Sequence, residues 1–285
     1  MTTINPRSDQ LSPVTRCPLC GASERTIFEH DHALHGDTPC TVQCDSCRLI
    51  YMDRVIKTEE IASVYAGYNT TRDERDSELE AKRRIMYRQD YAYVRRFLPQ
   101  RGLLLDFGSG TGEFSGLFED CEVHGIEVDD AARAHAAIRF PALQMHANAA
   151  SAPHGPYDAI VFRGTLQYAP DLRAIVDLCT ERTRTGSLIF ILATPNAESL
   201  LAQTQKEYWA LANAYEHRYW LSVPHLQRLF GDSFELRDRD FPYLNTPYER
   251  YTDDLKKVLA IARGENVKEK FPFFGSMMNV VFQRR

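Results

Sequence analysis

Residues 103–114, Leu-Leu-Leu-Asp-Phe-Gly-Ser-Gly-Thr-Gly-Glu-Phe, decide the fold of this chain. The leucines predict a buried parallel strand, which runs straight into a turn with glycines at positions 108, 110 and 112. Glycine allows backbone angles and a close ligand approach that a Cβ atom would block. The sequence therefore predicts a nucleotide-type cofactor at the carboxyl end of this strand.

The spacing of these glycines argues against a dinucleotide. The dinucleotide fingerprint, Gly-x-Gly-x-x-Gly, requires glycine at position 113, where the chain has Glu113. A second apolar stretch, residues 123–128, contains Glu127 and is followed by two aspartates and an Ala-rich segment. This order predicts a second strand, an acid placed to accept hydrogen bonds from a ribose diol, and a helix capped by Asp129 or Asp130.

Further apolar stretches follow with the rhythm of an α/β protein. Four of them are predicted to be strands four to seven: residues 157–162, 187–193, 234–241 and 277–282. Helical stretches lie between the earlier strands, and residues 87–98 predict an amphipathic helix just before the first strand. Alternating strands and helices predict a doubly wound, Rossmann-like α/β sheet of seven strands.

The glycine turn and the acid of the second strand together resemble those of class I S-adenosylmethionine-dependent methyltransferases, over roughly residues 85–285. The resemblance implies S-adenosylmethionine as the cofactor. In the resemblance, Asn148 matches a residue after the third strand that contacts adenine, although it is equally well explained as an amide in a surface loop. The resemblance also implies that Arg163 and Tyr168 are neighbours of the cofactor or the substrate. The cofactor-binding residues implied are Asp106, Gly108, Ser109, Gly110, Gly112, Glu127, Asn148 and Arg163.

Two Cys-x-x-Cys pairs near the start of the chain, Cys17 with Cys20 and Cys44 with Cys47, are separated by residues 21–43. This spacing lets two tight turns present four thiolates tetrahedrally to one Zn²⁺, and four thiolates leave no open coordination position. The ion is therefore predicted to be structural. Four reduced cysteines without metal, or a pair of labile disulfides, is the alternative. Three histidines lie between the pairs: His30, His32 and His35. The sequence leaves three interpretations of them open, namely extra metal ligands, substrate contacts or part of a solvated loop.

The order of elements after the second cysteine pair resembles the N-terminal zinc module of bacterial methyltransferases that act on small molecules and sugars, including deoxysugar C-methyltransferases. We predict a strand at 49–52 and a capped helix at 58–65. Tyr65 and Tyr68 are weak candidates for contact with the substrate, and a role in packing is the stronger alternative. We divide the chain into a zinc-ribbon-like module, a linker with an amphipathic helix, and a methyltransferase domain: residues 1–70, 71–98 and 99–285.

An aromatic-rich segment between strands five and six contains the candidate catalytic residues Tyr215, Glu216 and His217. Methyl transfer to oxygen or carbon requires removal of a proton from the acceptor. A histidine can accept that proton, and an adjacent carboxylate can fix its tautomer or take the proton itself. The segment resembles the Tyr/Glu/His segment of sugar C-methyltransferases, which implies an acceptor site. Capping of the helix predicted at 223–230, or core packing, is the competing interpretation.

Composition favours one large domain with a small module. The chain has 285 residues, 44% of them hydrophobic, and a formal net charge of −5, which does not favour a general nucleic-acid binder. No run of eighteen apolar residues and no apolar signal-peptide core occurs, so we expect a cytoplasmic protein without a membrane partner. The oligomeric state stays open.

The sequence thus predicts a biosynthetic S-adenosylmethionine-dependent methyltransferase whose acceptor is a small molecule, a sugar or a secondary-metabolite intermediate, methylated on oxygen, carbon or nitrogen. Two other functions are weighed against it. A zinc-ribbon RNA methyltransferase is disfavoured because residues 17–47 carry few basic side chains. A non-catalytic regulatory protein that binds the cofactor would leave the Tyr-Glu-His segment without a role.

Overall fold

The N-terminal part is built from short strands and one helix. The computed structural model describes residues 6–28, 40–68, 77–98, 101–206, 209, 217–267, 269 and 272–285. The predicted helix at 58–65 starts as a 3-10 turn and becomes an α-helix at Ile61. The elements are β1 (Leu11–Pro13), β2 (Arg25–Ile27), β3 (Thr41–Cys44), β4 (Ile50–Met52), β5 (Arg54–Ile56) and α1 (Ile61–Tyr65).

The remaining chain alternates strands and helices before ending in antiparallel strands. The first helices and strands are α2 (Ser77–Arg95), β6 (Leu103–Phe107), β7 (Glu122–Ile126), α3 (Asp130–Arg139), β8 (Gln144–His146), β9 (Tyr157–Arg163), α4 (Leu172–Glu181) and β10 (Thr183–Pro195). The later ones are α5 (Leu200–Gln205), β11 (Tyr219–Trp220), α6 (Val223–Phe230), β12 (Phe234–Asp240), α7 (Tyr251–Ala262) and β13 (Met277–Arg284).

Seven strands form one mixed sheet in the order β12-β13-β10-β9-β6-β7-β8. The five strands from β10 to β8 are parallel to one another, and β13 is antiparallel to both of its neighbours. The chain leaves β6 toward one edge and returns through β9 toward the other, which makes the carboxyl ends of β6 and β9 the switch point of a doubly wound sheet. The predicted fold class is confirmed.

Local sequence sets the bounds of several helices. The side chain of Asp129 accepts a hydrogen bond from the Ala131 backbone amide and caps α3. Helix α6 spans the predicted residues 223–230, with a proline in its first turn. Helix α2 differs from its prediction, because residues expected as a linker are already helical from Ser77. Ion pairs between residues four positions apart, such as Lys82 with Glu78, support these early turns.

The N-terminal strands pack on the large sheet. Strand β11, from the segment between β10 and β12, pairs with β4 and joins a four-stranded sheet in the order β11-β4-β3-β2. Leu49 and Tyr51 belong to the same buried cluster as Leu105 of β6 and Ile160 of β9. The N-terminal part of the chain therefore shares a hydrophobic core with the parallel strands. Among the helices in the described parts of the chain, none is long and apolar enough to cross a membrane.

Candidate active site and metal centre

The glycine turn is held tightly between two neighbouring segments. Gly108, Gly110 and Gly112 all have positive φ angles, of 73°, 54° and 81°. The backbone amides of Gly108 and Ser109 donate hydrogen bonds to the Ile126 carbonyl oxygen, over 2.8 and 3.0 Å. A Cβ atom at Gly108 would lie 2.5 Å from the Thr165 side chain. Glycine is therefore required here both by backbone conformation and by space.

Glu127 is fixed beside this turn at the carboxyl end of β7. Its side chain is buried; Oε2 accepts a hydrogen bond from the Gly110 amide over 2.9 Å, and Oε1 accepts one from the Asp129 amide over 3.0 Å. Burial raises the pKa of Glu127. Each carboxylate oxygen can accept a second hydrogen bond. The predicted acid therefore lies beside the glycine turn, and its contact with a ribose stays a prediction.

Asp106, on β6, lies under the turn and is buried. Its Oδ2 accepts a hydrogen bond from the Ser115 hydroxyl, whereas its buried Oδ1 has no hydrogen-bond partner in the described parts of the chain. Burial raises the pKa of Asp106 to about 6. A buried acceptor without a partner fits a ligand that brings a donor, such as the amino group of S-adenosylmethionine.

The raised pKa of Asp106 predicts a stability change with pH. The ordinary pKa of an aspartate is 3.8, whereas that of Asp106 in the folded protein is about 6, so the folded protein binds the proton more tightly than the unfolded chain does. The stabilisation of the folded state by this proton is complete below pH 3.8 and is lost as the pH rises through 6. Relative to Asp106→Asn, the free energy of unfolding of the wild type should fall by about 1.4 kcal/mol between pH 5 and pH 7. Urea titrations of both proteins across this pH range measure the difference between their free energies of unfolding. A difference that does not change with pH would contradict the raised pKa of Asp106.

Arg163, predicted to lie near the cofactor, forms an ion pair with the buried Asp90. Its Nε atom donates to Asp90 Oδ2 over 2.9 Å, and its guanidinium lies 4.2 Å from the centre of the Tyr87 ring. Asn279 donates to the other Asp90 oxygen over 2.9 Å. The sequence reasoning missed Asp90, although its position three residues after Tyr87 puts an acid on the apolar face of α2. This network ties α2 to the ends of β9 and β13.

Asn148 lies in the turn after β8 and is exposed. Its side-chain oxygen accepts a hydrogen bond from the Ser151 amide over 3.0 Å, and the Ser151 hydroxyl donates to the Asn148 carbonyl oxygen over 2.9 Å. These bonds stabilise the turn itself. The turn follows the third parallel strand, so Asn148 is at the same edge of the sheet as Glu127, and its contact with adenine stays a prediction.

His217 contacts the turn that follows β9. Its Nε2 atom lies 3.2 Å from the Tyr168 hydroxyl, and the two ring centres are 5.2 Å apart. Tyr168 ends a 3-10 turn that begins directly after Thr165, the residue in contact with Gly108. Two segments far apart in sequence therefore meet at Tyr168, three residues after the neighbour of Gly108. Tyr215 and Glu216 lie outside the described residues, as do His30, His32 and His35.

The four predicted metal ligands are brought together. The sulfur atoms of Cys17, Cys20, Cys44 and Cys47 all lie within 4.8 Å of one another, with 3.5 Å between Cys17 and Cys47 and between Cys20 and Cys44. Four sulfurs around a tetrahedral zinc ion are about 3.8 Å apart. All seven cysteines are free of disulfides. Burial raises the pKa of Cys17 to about 11, so a cation is needed to hold it as a thiolate at neutral pH.

Both cysteine turns are also contacted by the helices that flank the large sheet. Arg173 of α4 donates a hydrogen bond to the Leu19 carbonyl oxygen over 2.9 Å. The Nε2 atom of His225, on α6, lies 3.2 Å from the Cys47 carbonyl oxygen. The donor set and its surroundings fit a structural zinc ion, because every ligand is a thiolate and the turns are anchored from outside.

The sheet and its glycine turn define the class of α/β proteins that bind a nucleoside cofactor at a switch point. A sequence model of the methyltransferase domain family matches residues 80–235, more than half of the chain, so the chain belongs to that family. The protein is an S-adenosylmethionine-dependent methyltransferase with a Rossmann-like fold. No curated protein matches the chain in sequence.

Two solved structures show the same fold. One is a SAM-dependent methyltransferase, possible histamine N-methyltransferase, from Thermotoga maritima. It is 17% identical in sequence, the match covers 76% of this chain and 98% of that chain, and the TM-score is 0.53. The other is a chain in the complex of the Haloferax volcanii Trm112 methyltransferase activator with a methyltransferase; it is 12% identical, covers 78% of this chain and 97% of its own, and has a TM-score of 0.54.

Proposed function

We propose that the protein transfers the methyl group of S-adenosylmethionine to an oxygen, carbon or nitrogen atom of a small molecule, such as a sugar or a secondary-metabolite intermediate. The observation that supports this proposal most is the contact between His217 and Tyr168, because a histidine in the turn region after β9 can accept a proton from a methyl acceptor bound there. The division into residues 1–70, 71–98 and 99–285 stays part of the proposal.

The residues that would hold the cofactor are the glycine turn, Glu127 for the ribose, and Asp106 for the amino group. The sulfonium of the bound cofactor supplies an electrophilic methyl group. The chain itself has to orient the acceptor, exclude water and take up a proton. His217 is suited to the last task, and the Tyr168 hydroxyl, 3.2 Å from its Nε2 atom, orients the imidazole or relays the proton.

The proposed zinc ion acts through structure. Four thiolate ligands leave no position for water or substrate, so the ion would hold the two cysteine turns in place. These turns contact α4 and α6, and β4 of the same region pairs with β11, which begins two residues after His217. We therefore assign the N-terminal module the task of fixing the acceptor side of the site.

Activity is tested with methyl-labelled S-adenosylmethionine and a panel of sugars, sugar nucleotides, amines and carboxylic acids. Transfer of label to a small molecule supports the proposal. Binding of S-adenosylhomocysteine without transfer to any acceptor class would favour a regulatory protein instead.

His217→Ala and Tyr168→Phe separate proton transfer from cofactor binding. We expect His217→Ala to lower turnover by roughly a hundredfold or more, because a positioned acid or base contributes on the order of 10²–10⁴ in rate. Tyr168→Phe keeps the ring and removes only the hydroxyl, so its effect should be smaller. Affinity for S-adenosylhomocysteine, measured by calorimetry, should stay within about twofold in both variants; an equal loss of affinity and turnover in His217→Ala would refute its role.

A further inference from the structure

Arg218 is a buried cation whose end groups are unsatisfied. Its side chain is 3% exposed, and neither Nη1 nor Nη2 has a hydrogen-bond partner in the described parts of the chain. The residue is held firmly by its backbone: its amide donates to the Gln167 carbonyl oxygen, and its carbonyl oxygen accepts from the Met52 amide, both over 3.0 Å. The backbone of Arg218 is therefore fixed between the turn after β9 and the end of β4.

Such a group is costly in the unliganded protein. A guanidinium keeps its charge under all ordinary conditions, and a buried charge without a counterion is strongly destabilising. The groups that interact electrostatically with Arg218 include the phenols of Tyr65 and Tyr219, which are neutral at physiological pH. Burial lowers the pKa of Arg218. Within the described parts of the chain, the end groups of this guanidinium have no hydrogen-bond partner, so the site offers positive charge and several donors to an anion.

A buried acceptor lies in the partner segment. Gln167, whose backbone is bonded to Arg218, is itself 3% exposed, and its Oε1 atom has no hydrogen-bond partner among the described residues. Both residues are direct neighbours in sequence of the proposed catalytic pair, Tyr168 and His217. Consecutive Cα atoms are about 3.8 Å apart, so both pairs of residues lie within one small region of the chain.

We propose that Arg218 binds an oxyanion of the methyl acceptor, a carboxylate or a phosphoryl group, and that Gln167 Oε1 accepts a hydrogen bond from a hydroxyl or amino group of the same molecule. The planar fork of a guanidinium matches two oxygens of either anion. This inference rests on the proposed function, because it places the acceptor beside His217. It narrows the substrate class to small molecules that carry a negative charge close to the methylated atom.

The test uses the zinc-loaded full chain and three probes, inorganic phosphate, pyrophosphate and acetate, each at constant ionic strength set with chloride. In the wild type, at least one probe should raise the melting temperature in a saturable way. A larger increase with phosphate or pyrophosphate identifies a phosphoryl site, and a larger increase with acetate identifies a carboxylate site. Arg218→Met should bind that probe about tenfold more weakly or worse, since charged hydrogen bonds contribute about 1.5–3 kcal/mol. Arg263→Met, which removes the same charge from an exposed side chain, should respond like the wild type.

Stability without anions gives a second readout. Because Arg218→Met removes an uncompensated buried charge, it should melt no lower than the wild type in probe-free buffer. A lower melting temperature together with an unchanged probe response would overturn the inference. If Arg218→Met does not fold, Arg218→Lys decides the question: it keeps the charge without the fork, so probe affinity should fall severalfold, and equal affinity would overturn the inference.

The two proposals fail in distinguishable ways. Normal binding of S-adenosylhomocysteine with no probe response in the wild type would remove the anion site and leave methyl transfer intact. A probe response lost in Arg218→Met, together with no label transfer to any acceptor, would leave an anion site in a protein that does not have the proposed activity.

Discussion

Replacing Glu127 by alanine is expected to weaken the binding of S-adenosylhomocysteine by about a hundredfold, which corresponds to about 2.7 kcal/mol. The carboxylate accepts hydrogen bonds from the Gly110 and Asp129 amides and is the proposed acceptor for the ribose. Hydrogen bonds to charged groups contribute about 1.5–3 kcal/mol each, and the variant loses both the ribose contact and the bond that orients the glycine turn.

The fold should survive this substitution. Burial raises the pKa of Glu127, so the ionised carboxylate is less stable in the folded protein than in water, and we expect its removal to leave the chain folded. Isothermal calorimetry measures the affinity, and circular dichroism monitors the fold.

Glu113→Ala is the matched control for Glu127→Ala. Glu113 is an acid at the end of the same glycine turn, but its carboxylate pairs with Arg139 on α3. Its removal should change cofactor affinity by no more than a few-fold. Equal losses in the two variants, or an unchanged affinity in Glu127→Ala, would show that the acid of β7 does not hold the ribose.

The parts of the fold that could be predicted from the sequence are those that depend on residues close to one another in the chain. Strand β6 and its turn depend on residues 103–114, and the helix at 223–230 starts after Ser222 with a proline in its first turn, so each carries its own signals. The cysteine cluster was also predictable, because the spacing of two tight turns is a local property even when the turns meet across the chain.

The contacts that sequence could not predict join segments far apart in the chain. The pairing of β11 with β4 brings residues 219–220 to a sheet formed by the N-terminal strands, and neither two-residue segment has a pattern that specifies the other. The contact of His217 with Tyr168 depends on that pairing. Arg163 was expected near the cofactor from its place at the end of the fourth strand, and that expectation stays a prediction; its partner Asp90, from a helix far earlier in the chain, was not foreseen.

Replacing Cys44 by serine is expected to abolish zinc binding and to lower the melting temperature by about 10 °C or more. A structural zinc ion contributes about 10–16 kcal/mol to the folding of small metal-binding domains, and about 1 kcal/mol shifts the midpoint by 2–4 °C in a protein of this size. Cys44 is fully buried and ends β3, so an uncoordinated polar group there also disturbs the strand. Metal content is measured by mass spectrometry and stability by calorimetry.

Cys121→Ser is the control for this experiment, because Cys121 is partly exposed and lies outside the cluster of four sulfurs. It should keep one zinc ion per chain and the wild-type melting temperature. If Cys44→Ser retained its zinc, the four-thiolate site would be wrong.

The loss of zinc should affect the two sides of the active site unequally. Glu127 and the glycine turn are supported by β6 and β7, whereas His217 and Arg218 depend on the pairing of β11 with β4. In Cys44→Ser at a temperature where the protein stays folded, we expect S-adenosylhomocysteine to bind within a few-fold of wild type while methyl transfer falls by about a hundredfold or more, as for loss of an acid or base. A parallel loss of both would mean that the zinc module stabilises the whole sheet rather than the acceptor side of the site.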